Sequence, residues 1–137
     1  MMTRFFIYGT VGWIAEVLWT GFGSLLRTDF RLTSHTYLWM LFIYGLAVFL
    51  EPVHDAIRSW HWFYRGLLYM FLIFSVEYFS GWLLSEVIGV CPWDYGNQLF
   101  AINGFIRLDY APVWFTAGLL FEKLHDFLDN IMWRLTS

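Results

Sequence analysis

Two segments of the chain repeat one pattern of reactive side chains. They are Glu51-Pro52-Val53-His54-Asp55 and Glu122-Lys123-Leu124-His125-Asp126, each a Glu-x-x-His-Asp. On a helix, residues three apart share a face, so each Glu and its His point at one spot. Two further apolar runs each carry one carboxylate near the middle, Glu16 and Glu77. In chain order the set reads Glu, Glu-x-x-His, Glu, Glu-x-x-His, the ligand arithmetic of a dinuclear metal site in a four-helix bundle. Glu16, Glu51, Glu77 and Glu122 would bridge or chelate two divalent metal ions, with His54 and His125 each capping one. Carboxylate and imidazole together suit iron or manganese, with zinc as a further fit. Two divalent ions would cancel four carboxylate charges and leave a neutral core that lipid tolerates. Tyr8, Tyr44 and Tyr78 are candidates to hydrogen-bond the carboxylates from behind. On this reading the protein is a di-iron-type carboxylate protein of the membrane, an oxidoreductase acting on a lipid-like substrate.

The same side chains support two other readings. In one, the glutamates carry protons or cations, and the chain is a membrane transport component. In the other, the glutamates hydrogen-bond neighbouring helices, the histidines sit at the membrane interface, and the chain is a structural membrane subunit that binds a partner.

The elements that must position these residues are membrane helices. The sequence is 59% hydrophobic and only 14% charged, where a soluble domain carries about a quarter charged residues. A helix crosses a bilayer with roughly 20 mostly apolar residues. Four runs qualify, at about 3–26, 36–57, 66–90 and 111–130, within a single transmembrane domain spanning 1–137. The first run is too long for a signal peptide and reads as a retained span. The fold expected is all-α: a polytopic four-helix bundle of two helical hairpins. Counted from the span ends, the four glutamates lie about 10 to 15 residues in, one layer roughly 15 to 22 Å deep. In the first span, Gly9, Gly12, Glu16, Thr20 and Gly23 share a face, and small residues there let helices approach closely. In the third, Gly66, Met70, Ile73, Glu77 and Gly81 do the same, while Glu86 falls on roughly the opposite face. Pro52 is expected to kink the second span one turn earlier.

The connection 91–110 is too long and too apolar for a plain loop. It is expected to form a lid or re-entrant segment between helices 3 and 4, because bare backbone cannot face lipid. Trp93, Asp94, Tyr95, Asn103 and Arg107 are its notable residues. Asp94 can cap a short helix after Pro92. Arg107 can pair with Asp94 or Glu86, or bind a lipid phosphate. Arg4, Arg58, Arg65 and Arg134 fall on one side of the spans, and Arg27, Arg31 and Arg107 on the other. The positive-inside tendency then puts both termini, Met1 and Ser137, in the cytoplasm. The net charge of -3 is small and dispersed, which argues against a nucleic-acid partner. Membrane lipid and either further copies of the chain or a partner membrane subunit are the expected associations. A single cysteine, Cys91, rules out an internal disulfide.

Several of these stretches resemble a known family. Gly12-Trp13 with Glu16, Phe42-Ile43-Tyr44-Gly45 with Glu51, Glu77-Tyr78 with Gly81, and Pro92-Trp93-Asp94-Tyr95 before Asn103-Gly104 are similar to the putative ABC-transporter type IV family. These are the CmpB-like small membrane proteins, including the eukaryotic transmembrane protein 229 group. The resemblance covers nearly the whole chain and implies a four-span membrane protein. The family pattern carries glutamates at these four places and does not require the two histidines, so the metal reading rests on this sequence's own residues. No nucleotide-binding loop is present, so ATP-driven activity would need a partner chain.

Overall fold

The structure is a computed structural model, and it describes residues 1–136. Ser137, expected on the same side of the membrane as Met1, lies outside the described residues. The chain divides into two compact units, one of Met1–Leu50 and one from Glu51 onward.

The first unit opens with α1, Met2–Leu26, an apolar run without proline. It stops at Arg27, where Thr28 takes a positive φ of 64° and the Asp29 amide turns back onto the Ser24 carbonyl at 2.9 Å. α2, Leu38–Gly45, packs along α1. Glycine makes this possible. A Cβ on Gly9 would lie 2.2 Å from the Leu41 carbonyl oxygen, and one on Gly12 would lie 2.5 Å from Tyr44 Cγ. Between the helices the backbone is extended and runs back along α1. The Ser24 hydroxyl donates to the Thr33 carbonyl, Thr20 Oγ1 to His35 O at 3.1 Å, and Trp13 Nε1 to Tyr37 O at 3.1 Å. The His35 amide donates in turn to Thr20 Oγ1 at 3.0 Å. Alternate carbonyls of the strap are thus met by side chains of α1, which is how non-helical backbone is tolerated beside a membrane helix.

Helical structure continues through a 3-10 stretch, Leu46–Leu50, into α3, Glu51–Ile57. The 3-10 stretch immediately precedes Glu51-Pro52, and proline disturbs α-helical bonding in the turn before it.

The second unit contains α3, then α4, Trp62–Ile88, and α5, Ala111–Thr136. His61 Nδ1 accepts from the Phe63 amide at the start of α4, and Gly89, at a φ of 81°, ends it. α4 packs against α5. Again glycines admit the neighbour: a Cβ on Gly66 would meet the Phe115 ring at 2.4 Å, and one on Gly118 would meet Tyr69 Cβ at 2.3 Å. The connection between them carries a two-stranded antiparallel hairpin, β1 Ala101–Ile102 and β2 Ile106–Arg107, followed by a 3-10 turn, Leu108–Tyr110.

The described residues are therefore mostly helical, and among them three helical segments are long and apolar enough to cross a membrane: Met2–Leu26, Leu38–Ile57 and Trp62–Ile88. α5 is long enough but falls outside that set, because from its middle onward it carries Glu122, Lys123, Asp126, Asp129 and Arg134.

Candidate functional site

The two Glu-x-x-His-Asp motifs meet in the second unit, on α3 and α5, and they interlock. His125 of the second motif contacts the first: its Nδ1 lies 3.2 Å from Glu51 Oε1 and its Nε2 lies 3.3 Å from Asp55 Oδ1. His54 of the first motif contacts the second: its Nδ1 lies 3.2 Å from Glu122 Oε1 and its Nε2 lies 3.6 Å from Asp126 Oδ1. The two imidazole rings stand 5.6 Å apart, nearly perpendicular. The Glu-to-His spacing does put both residues on one face, but each histidine turns to the other motif's carboxylates.

α4 closes the cluster. Arg65 Nε and Nη2 donate to the two oxygens of Glu122 at 2.8 and 3.2 Å. Tyr69, fully buried, donates its hydroxyl to Glu122 Oε1 at 2.8 Å and stands 3.0 Å from His54 Nδ1. A phenol has one proton to give, so with Tyr69 donating to Glu122, His54 carries a proton on Nδ1. His125 is held more closely: a carboxylate oxygen lies within 3.3 Å of each of its nitrogens, with Asp129 Oδ2 a further 3.6 Å from Nε2, whereas His54 Nε2 stands 3.6 Å from Asp126 and makes no hydrogen bond. A neutral imidazole donates through one nitrogen only, so the imidazolium is the form that serves both. Phe121 stacks on this ring with an interplanar angle of 5°.

The cluster grades from solvent to interior. The side chains of Asp55 and Asp129 are 56% and 48% exposed, whereas those of His125 and Glu122 are 4% and 6% exposed. At the exposed edge Arg58 Nη2 ties Asp55 to Asp126, donating 2.9 Å to each.

The remaining expected residues lie elsewhere. Glu16, in the first unit, accepts from Thr36 Oγ1 at 2.9 Å and from the Tyr44 hydroxyl. Tyr8 is buried on α1. Glu77 accepts from the Tyr95 hydroxyl at 2.7 Å. It lies eight residues, about 12 Å, along α4 from Tyr69, the residue that touches Glu122. Tyr78 accepts from Asn103 Nδ2 at 2.8 Å and so holds an amide, not a carboxylate. Trp93 Nε1 donates to Phe105 O at 3.1 Å, and Asp94 Oδ1 accepts from the Gly96 amide at 2.8 Å in a local turn. Arg107 pairs with Asp109 at 2.6 Å, not with Asp94 or Glu86. That pairing holds the Asp109 carboxyl below its ordinary range. Glu86 is exposed.

This geometry corrects the dinuclear metal reading. Among the described residues, no group of three or more His, Cys, Asp or Glu side chains is placed to hold a metal ion. Among the expected ligands, Glu51, Glu122 and the two histidines are already engaged. Arg65 supplies a cation to Glu122, Tyr69 supplies a proton, and the histidines pair with carboxylates across the two motifs. Two divalent ions, whether iron, manganese or zinc, are not supported as cofactors, and the di-iron oxidoreductase acting on a lipid-like substrate falls with them.

Sequence reasoning did not assign Tyr69, Arg58, Arg65 or Asp129 to the site. A signal existed for two of them: Arg65 and Tyr69 are four apart, hence on one face of α4. That this face turns toward Glu122 depends on the close approach at Gly118.

A family model described as Putative ABC-transporter type IV matches residues 3–137. No solved structure matches the chain.

Proposed function

The chain belongs to the putative ABC-transporter type IV family, and on that premise we propose that it is a membrane transport component whose interlocked Glu-x-x-His-Asp motifs take up and release protons. The observation that carries this reading is His125, a buried ring with a carboxylate oxygen at each nitrogen. Such a ring donates from both nitrogens when protonated and from only one when neutral. Asp55 and Asp129, at the solvent edge, deliver the proton; Glu51, His54, Tyr69 and Glu122 lie inward of them. Buried ionisable groups in membrane proteins serve such relays often enough to be the default expectation. Glu16 and Glu77 are further carboxylates available to protons or cations.

The finer architecture belongs to the same proposal. The four helical segments form a single four-helix membrane domain, 91–110 acts as its lid, and both termini are cytoplasmic. Lipid surrounds it, and further copies or a partner membrane subunit complete the working assembly. ATP use would come from a partner chain, since this sequence has no phosphate-binding loop.

Proton flux tests the function. In vesicles holding the full chain and a pH-sensitive dye, an inside-negative diffusion potential is expected to acidify the lumen faster than in empty vesicles. His125→Gln and Glu122→Gln are expected to bring the rate down to that of empty vesicles, and Glu86→Gln to leave it unchanged. Wild-type vesicles that behave like empty ones would leave a structural subunit as the better reading.

A further inference from the structure

Residues 91–110 are fastened to α4 by side chains on two consecutive positions. Tyr95 reaches Glu77 at 2.7 Å, and Asn103 reaches Tyr78 at 2.8 Å. The segment is otherwise self-contained. Tyr95 N donates to Gly104 O at 2.9 Å, and Trp93 Nε1 to Phe105 O. Asn103 and Gly104 both take positive φ at the hairpin turn, and the Asp94 carboxylate folds so closely over Gly104 that a Cβ there would lie 2.3 Å from it. Arg107 lies over the Tyr110 ring at 4.6 Å and the Tyr95 ring at 5.9 Å. A body with its own internal bonds moves as a unit.

Its attachment to α4 is slighter. Besides the two hydrogen bonds, the Phe105 ring stands edge-on to Tyr78 at 5.3 Å, and the segment rests on Gly81, where a Cβ would meet Phe105, Cys91 and Trp93 at 3.1 to 3.3 Å. At the α4 end the chain turns at Gly89, which has a φ of 81° and no atom within 4 Å of a notional Cβ. Where the segment meets the end of α4, Ser85, Gly89, Cys91, Asp94, Asn103 and Phe105 are among the residues that line an open pocket of about 530 Å³.

We infer that residues 91–110 are a gate hinged at Gly89, latched by Tyr95 on Glu77 and by Asn103 on Tyr78, whose opening admits water to the Glu77 carboxylate. Glu77 is 7% exposed with the gate shut. The inference rests on the transport reading only in giving that access a purpose.

Cys91, the chain's single cysteine, is a native reporter. It is the segment's own first residue, buried where the segment packs over Gly81, and burial pushes its thiol up, so it reacts slowly while the gate is shut. The experiment is the rate of Cys91 modification by a charged, water-soluble maleimide, at fixed pH, on the full chain in nanodiscs. Tyr95→Phe removes the hydroxyl and keeps the ring; it is expected to raise the rate about tenfold, the effect of one hydrogen bond on an opening equilibrium. Gly81→Leu props the segment from below and is expected to raise it as well, whereas Trp19→Phe on α1 leaves it unchanged. Melting temperatures near wild type exclude general unfolding as the cause. The inference is overturned if wild-type Cys91 reacts as fast as an exposed thiol, or if neither Tyr95→Phe nor Gly81→Leu changes the rate. Labelling needs no transport, so the two readings fail separately. Faster labelling without proton flux keeps the gate and removes the transport role; altered flux with unchanged labelling removes the gate.

Discussion

Glu122 owes its place in the interior to two α4 side chains of different kinds. Arg65 gives it a cation in a two-pronged contact, and Tyr69 gives it a neutral donor. Removing the guanidinium leaves a buried carboxylate with Tyr69 and His54 as its remaining partners, so Arg65→Ala is expected to cost about 3 kcal/mol. Tyr69→Phe removes one hydrogen bond and is expected to cost about 1 to 2 kcal/mol. Thermal unfolding of the full chain in nanodiscs measures both. The informative comparison is the double variant Arg65→Ala with Glu122→Gln. Because it removes the stranded charge as well, it is expected to be more stable than Arg65→Ala alone. A double variant that is less stable than the single one would mean that Arg65 acts through packing and not through charge.

At the scale of elements, the glycine faces were legible in the sequence and the strap was not. Gly9 and Gly12 fall on one face of α1 by helical period, and that face is where α2 packs. The extended stretch 32–37 has no strand pattern to read, since its partners are the Trp13, Thr20 and Ser24 side chains and not another strand. Those side chains read equally well as the polar residues of a membrane helix. The strap gives its own prediction. The His35 amide is held by Thr20 Oγ1, so it is expected to be protected from hydrogen exchange, and Thr20→Val is expected to speed its exchange about tenfold. Equal exchange in the two proteins would mean that the strap is not pinned to α1. The same lesson holds for α5. Its length suggested a membrane span, but the charges that build the site run from its middle onward and lower its apolarity.

At the scale of the molecule, the internal repeat was the most informative feature of the sequence. It marked the two segments whose Glu51, His54, Glu122 and His125 side chains meet, while Glu16 and Glu77, expected with them, have other partners. What it left open was the chemistry, because the same Glu-x-x-His spacing serves a metal or a carboxylate–imidazole pair. The decision came from Arg58, Arg65 and Tyr69, which lie outside both motifs and meet them only through tertiary packing. The proposed topology is tested by placing single cysteines before Met1 and after the C-terminus in a Cys91→Ser background. Both are expected to react from the cytoplasmic side, and labelling from opposite sides would exclude it. The central claim is that the interlocked motifs exchange protons and do not merely hold α3 to α5. Infrared difference spectroscopy of the full chain, titrated across about pH 5 to 8 where histidine changes charge, addresses it most directly. The expected result is a set of titrating imidazole and carboxylate bands in the wild type, which His125→Gln and Glu122→Gln remove and Glu86→Gln leaves in place. Spectra in which neither His125→Gln nor Glu122→Gln changes any titrating band would contradict the account.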